Sequence, residues 1–211
     1  LRGCVESQAG PRTVVFDLGG DITLQSDLVL NQPFITVDGA TAPAPGITIR
    51  KSGIQIGQFV IAGTHDVIVR HLRFHGLWQM GGPHMNDAAT IAIDGDSNPD
   101  HVAARIVLDH ITSRNATDGG PDIWGEVQDV TMQWSMLLYS WHPTTISHYP
   151  APYQVRQRIS LHHNVYAKNG ERNPQIRADV RDLDYVNNVI YDWGFFGEAS
   201  GYGVRVRNDA G

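Results

Sequence analysis

The chain is 211 residues long, 41% hydrophobic and 9% aromatic, with only 18% charged residues; it has the material for a sizeable core and is not a disordered polyelectrolyte. Its formal net charge of −6 and the absence of a basic run argue against a nucleic-acid partner. A single cysteine, Cys4, rules out an internal disulfide, and no apolar run reaches the roughly 18 residues of a membrane span.

Helical patterning is confined to residues 1–10. From Arg12 onward, short period-2 segments follow one another. They are TVVFDL (13–18), DITLQS (21–26), FITVDG (34–39), GITIRK (46–51), FVIAG (59–63) and DVIVRHLRF (66–74). TIAIDG (90–95), RIVLDH (105–110), DVTMQW (129–134), RISLHHN (158–164), LDYVNNV (183–189) and YGVRVRN (202–208) complete the series. Each is bounded by Gly, Asn, Asp or Pro, which punctuate strands. Without crossover helices, doubly wound and TIM-barrel folds are excluded.

Two all-β arrangements remain. A sandwich needs hairpins, yet Asp-Gly turn signals occur only at 38–39, 94–95 and 118–119. A solenoid needs a repeated outline, and RIVLDHITS, DVTMQWSML, RISLHHNVY and LDYVNNVIY share one. Their first apolar positions, Ile106, Val130, Ile159 and Leu183, are spaced 24, 29 and 24 residues apart, as stacked coils require. The spacing predicts that Val130, Ile159 and Leu183 point inward on successive coils. It also puts Asn164 and Asn188 in equivalent turns, where they can bond to one another. Strand alternation predicts that one of His162 and His163 faces the core and the other solvent. The reading is one parallel solenoid over residues 1–211. Its open end predicts further coils beyond Gly211.

The stretch RISLHHNVYAKNGERNPQIR resembles the pectate lyases of polysaccharide lyase family 1. The pattern is a strand ending in HHN (162–164) followed by R-x-P-x-x-R at Arg172, Pro174 and Arg177. ITVDG (35–39), DVIVRHLRF, RIVLDHIT (105–112), DGGPDI (118–123) and VNNVIYDWG (186–194) match further pieces in order. PRTVVFDLGG and TAPAPGITI look like a bacterial and fungal branch. The resemblance implies an all-β, right-handed parallel β-helix. It implies a calcium-dependent enzyme that cleaves polygalacturonate, an acidic plant cell-wall polysaccharide, by β-elimination. By the same resemblance the enzyme is secreted or periplasmic, acts as a monomer, and has no nucleic-acid or membrane partner. Arg172 then matches the general base and Arg177 a carboxylate-binding arginine. Asp118, Asp122 and Asp87 match calcium ligands. Relatives carry a lysine before HHN where this chain has YSWHPTTISHY (139–149), so His142 and His148 are the substrate-binding candidates there. Ala89 stands near a position that is acidic in some relatives.

The chemistry suits these residue types. β-Elimination removes the C5 proton of a uronate and expels the C4 oxygen, so the developing carbanion needs electrostatic stabilisation. Calcium takes several oxygen ligands, which convergent aspartates supply. An arginine acts as a base only after losing a proton, which predicts activity favoured at alkaline pH. Arg205 and Arg207 share a face of the last strand and are candidates to extend a substrate groove. Trp78 and Trp141, in polar loops, are the candidates for stacking on sugar rings. Asp109–His110 reads as a structural strand-end pair.

Plainer readings compete. Asp118 and Asp122 also suit Asx turns, or the carboxylate pair of a glycoside hydrolase on the same coil. A solenoid that binds carbohydrate without cleaving it is the third alternative.

Overall fold

The computed structural model describes residues 1–79, 89–95, 101–147, 157–177, 180–194 and 202–207. A short helix, α1 (Arg2–Glu6), precedes seven coils of three strands each. Coil 1 holds β1 (Arg12–Val14), β2 (Gly20–Leu24) and β3 (Leu28–Leu30). Coil 2 holds β4 (Ile35–Asp38), β5 (Ile47–Lys51) and β6 (Phe59–Ala62). Coil 3 holds β7 (His65–Arg70), β8 (Leu72–His75) and β9 (Ile91–Gly95). Coil 4 holds β10 (Ala103–Asp109), β11 (Thr112–Arg114) and β12 (Asp122–Gly125). Coil 5 holds β13 (Val127–Gln133), β14 (Met136–Leu138) and β15 (Thr145–Ser147). Coil 6 holds β16 (Ile159–His162), β17 (Val165–Ala167) and β18 (Gln175–Ile176). Coil 7 holds β19 (Leu183–Val186), β20 (Val189–Tyr191) and β21 (Arg205–Val206).

The first strands of all coils form one seven-stranded sheet (A), the second strands another (B) and the third a further one (C). Every pairing between strands is parallel. Each coil is a crossover between neighbouring strands of one sheet, a connection that is right-handed in nearly all folds. Among the described residues no helix is long and apolar enough to cross a membrane.

The repeat register follows the sequence. Ile106 pairs with Val130, Val130 with Ile159 and Ile159 with Leu183. The first three are buried and Leu183, on the last coil, is partly buried. Sheet C stacks Leu30, Ile61, Ile93, Ile123, Ile146 and Ile176 in the same way. Burying each such side chain contributes about 1.5–3 kcal/mol, and β-branched residues fit the pleat. Val5 of α1 is fully buried in this core.

In coils 3 to 7 the A–B corner turns on one left-handed residue per coil. His71, His110, Trp134, His163 and Asn187 have φ between 50° and 57°, a conformation that L-residues enter only at a cost of about 1–2 kcal/mol. The next residue turns inward and bonds to the neighbouring coil. Ser135 Oγ accepts from the Ile111 amide at 3.1 Å, and Asn164 Oδ1 from the Ser135 amide at 3.0 Å. Asn188 Oδ1 accepts from the Asn164 amide at 2.9 Å. The expected asparagine ladder therefore exists, with Ser135 as an earlier rung.

This corner corrects two expectations. Residues 66–74 form two strands rather than one, because His71 breaks the run. Neither His162 nor His163 faces the core. His162 lies on the outward side of sheet A, His163 takes the left-handed position, and Asn164 is the inward residue at 1% exposure. Outside the corner, His71, His110, Trp134 and His163 stack ring on ring, with centroids 4.7, 6.4 and 4.3 Å apart. At the entry to sheet A the outward residues are charged instead. Arg105 grips Asp66 through two bonds of 2.9 and 2.7 Å, and Arg158 grips Asp129 through bonds of 2.5 and 2.7 Å.

Candidate active site

The connections from sheet B to sheet C vary in length and carry the site. Asp118 lies in the 115–121 connection of coil 4, and Asp122 is the first residue of β12 rather than part of the loop. Arg172 lies in the 168–174 connection two coils later. Asp118, Asp122, Arg172 and Arg177 line one cavity of about 780 Å³ on the outer face of sheet C, together with Trp124 and Thr145. The pairing of β12 with β15 and of β15 with β18 sets this spacing.

Arg172 has a left-handed backbone, φ 62°. Its Nη1 donates to Asp118 Oδ1 at 3.2 Å and to Thr145 Oγ1 at 3.3 Å. Its Nε lies 3.8 Å from Glu171 Oε1 and makes no hydrogen bond among the described residues. The Asp122 Oδ1 atom accepts the Thr145 amide at 2.7 Å. Its other oxygen would sit 2.2 Å from a Cβ at Gly119, whose φ is 77°. Only glycine leaves room there and adopts that backbone freely. Enclosure, and then the neighbouring Asp118 carboxylate, push the Asp122 carboxyl up to about 7.

His142 is 4% exposed and does not open onto the cavity. Its Nδ1 lies 2.8 Å from Asp118 Oδ1 and its Nε2 3.0 Å from Glu171 Oε1, so both ring nitrogens are engaged. The bond to His142 holds the Glu171 carboxyl below the usual carboxylate range. The Arg177 guanidinium sits 5.3 Å above the Trp124 ring, a cation–π contact. Its Nε is buried without a hydrogen-bond partner among the described residues. Asp87 and His148 lie outside the described residues.

The tryptophan expectation is overturned. Trp78 and Trp141 are 3% and 9% exposed and pack edge to face at 5.8 Å, so neither offers a ring to a sugar. Trp124 lines the cavity instead. Its position was legible, since it stands two residues from Asp122 on one strand and shares its outward face. Thr145 and Glu171 were missed. Thr145 belongs to β15, three residues long and too short to show alternation, while Glu171 had adjacency to Arg172 as its signal.

Asp118 and Asp122 fit a hard divalent cation. They offer carboxylate oxygens, and their mutual repulsion, visible in the raised Asp122 carboxyl, is what such an ion relieves. Elsewhere among the described residues, His71, Asp109 and His110 bring donor atoms within 4.8 Å of one another at the A–B corner. There Asp109 accepts from Gln133 at 3.0 Å and lies 2.9 Å from His110 Nδ1, consistent with the structural pair.

No protein-family model matches the chain. The probable pectate lyase C of Aspergillus flavus is 32% identical over 194 residues, covering 92% of this chain and 40% of that protein. The chain is a homologue of pectate lyases. The probable pectate lyase C of Emericella nidulans is 28% identical over 183 residues, 87% of this chain and 38% of that protein. The pectate trisaccharide-lyase of a Thermotoga species is 27% identical over 167 residues, 75% of this chain and 44% of that protein. The chain thus spans less than half the length of these relatives. The crystal structure of Jun a 1, the major allergen of cedar pollen, matches with a TM-score of 0.60 at 16% identity, over 92% of this chain and 56% of that one. That likeness concerns the fold, and it bears out the right-handed parallel β-helix.

Proposed function

We propose that this chain carries the machinery of a calcium-dependent polysaccharide lyase that cleaves polygalacturonate by β-elimination. The observation that carries the reading is the meeting of Arg172 with the Asp118–Asp122 pair across two coils, at a bond of 3.2 Å. Homology to proteins named pectate lyase supports it.

In this reading Arg172 is the base. It takes the C5 proton of the uronate. The electron pair left at C5 forms the C4=C5 double bond, and the C4–O bond breaks. The departing oxygen takes a proton, and no water is consumed. Arg172 does this from an unprotonated nitrogen, so the rate rises with pH. Thr145 and Asp118 fix the plane of the guanidinium. Arg177, braced on Trp124, takes a substrate carboxylate in a bidentate grip. His142 acts from beneath by tying Asp118 to Glu171, and is a positioning residue rather than a substrate contact. Asp118 and Asp122, with Asp87 as the further candidate, would hold calcium, which supplies positive charge beside the substrate carboxylate. The reading includes secretion or a periplasmic location, because the polymer is met outside the cell, and a monomeric enzyme.

The test is ultraviolet absorbance of the unsaturated uronide released from polygalacturonate at alkaline pH. Activity with calcium and its loss with a chelator are expected. A second reading, hydrolysis, has one observation in its favour. A carboxyl raised to about 7 beside a second carboxylate resembles the acid–base pair of glycosidases. New reducing ends without ultraviolet absorbance would decide for it.

A further inference from the structure

The groove is polarised along the solenoid axis. Its floor runs over six strands of sheet C, from β3 to β18, which at about 4.8 Å per strand is roughly 24 Å. Its cationic lining residues, Arg172 and Arg177, both sit at the coil 6 end. Toward coil 1 the lining is Val29, Val60, Ala62, Ala89 and Ala92, with Gln58 as its neutral polar side chain and Asp27 and Asp94 as its charged groups.

The sequence enforces this division. Residues 25–34, 52–64, 76–104 and 115–155, which supply strands β3, β6, β9, β12 and β15 and most of their flanking connections, contain no Lys or Arg. Lys51 stands nearby, but it is 4% exposed and its Nζ donates to the Ala89 carbonyl at 2.7 Å. It lies outside the groove lining. A free uronate carboxylate placed over coils 1 to 3 would therefore meet carboxylates, the Gln58 amide and small apolar side chains, with no lysine or arginine in the described lining to receive it. A methyl ester carries no charge, and its methyl group suits the valines and alanines.

Resting on the lyase reading above, we propose that the coil 1 to 3 half of the groove binds uronate units whose carboxyl groups are methyl-esterified. The coil 4 to 6 half binds the free uronate that reacts. The preferred substrate is then a partly esterified polymer, with free acid at the cleavage point and esters on one side of it.

Binding and product analysis test this separately. Calorimetry with the Arg172→Lys protein compares two oligouronides of equal length, one unesterified and one carrying esters on alternate units, with and without calcium. The esterified ligand should bind about 5–10-fold tighter in both conditions. Ala62 is the cross-strand partner of Asp94, so Ala62→Lys, which places a cation beside that carboxylate, should remove or reverse the preference. Mass spectrometry of products made by the unsubstituted protein should find esters concentrated on one side of the cleaved bonds. Equal or tighter binding of the unesterified oligomer with calcium present would overturn the proposal, because the acidic half would then be bridging free uronates through ions. Esters spread evenly about the cleaved bonds would overturn it as well. If no polymer yields an unsaturated product but the esterified ligand still binds tighter, the lyase reading fails and the groove assignment stands.

Discussion

The A–B corner and the cavity-facing side of the B–C connections use polar residues in opposite ways, although a second ladder, Ala116–Ser140–Asn169, runs through the B–C connections as well. At the A–B corner Ser135, Asn164 and Asn188 each bond to the coil beside them, over two-residue connections of constant length. Every inward polar group there is spent on its neighbour. In the B–C connections, Asp118, His142, Glu171 and Arg172 bond across two coils, over segments of differing length. The Asp122 carboxyl is left partly uncompensated, and an arginine Nε on each of Arg172 and Arg177 lacks a hydrogen-bond partner among the described residues. The corner ladder is satisfied locally, while these cavity-lining groups keep hydrogen-bonding capacity unused by the described residues.

Substitutions on either side break this contrast in different observables. The largest effect is expected from Arg172→Lys, which should lower turnover by about 10²–10⁴-fold and leave the unfolding midpoint close to that of the parent. Release of unsaturated uronide and a thermal melt measure the two. Near-normal turnover would sink the base assignment. Asn164→Ala should do the reverse. It strips the buried Ser135 amide and Met132 carbonyl of their partner and should cost about 2–3 kcal/mol in a denaturant titration, with activity per folded molecule kept.

The Asp122 carboxyl gives a pH signature. Its folded value of about 7 lies above its ordinary 3.8, so in this window the folded chain holds a proton that the unfolded chain has lost. Stability of the calcium-free protein should therefore fall as pH rises from about 4 to 7. Calcium should recover it above pH 7, and Asp122→Asn should flatten both trends in melts across that range. The smallest effect is expected from Trp134→Ala. Its ring is 52% exposed between His110 and His163, so the loss should be near 0.5–1 kcal/mol with no change in activity.

The sequence showed the inner face of the solenoid plainly and its corners poorly. Ile106, Val130 and Ile159 announce sheet A because strands of four to seven residues display alternation. Strands such as β14, β15 and β18, of two or three residues, have no room to display it. The left-handed residue at the A–B corner also resets the alternation, which is why neither His162 nor His163 faces the core and Asn164 does. In the site, Arg172, Arg177, Asp118 and Asp122 were legible because their spacing is carried by contiguous motifs. Thr145 and Glu171 join them only through coil stacking, which a linear reading does not display. Trp78 and Trp141 mislead for a related reason, since polar neighbours in sequence conceal that the two rings pack on each other.

The stacking distance that hides Thr145 also confers a freedom. Because parallel pairing locks each coil to the next, reinforced in coils 4 to 7 by the ladder Ile111–Ser135–Asn164–Asn188, the separation of groups on the sheet C face comes in whole steps of strand spacing. A connection such as 115–121 can lengthen or change composition while the floor beneath it keeps its graduations. The fold thus behaves as a ruler. Chemistry can be revised one mark at a time, and a groove can change its preference for a charged or uncharged sugar at coil 2 without moving the arginine at coil 6.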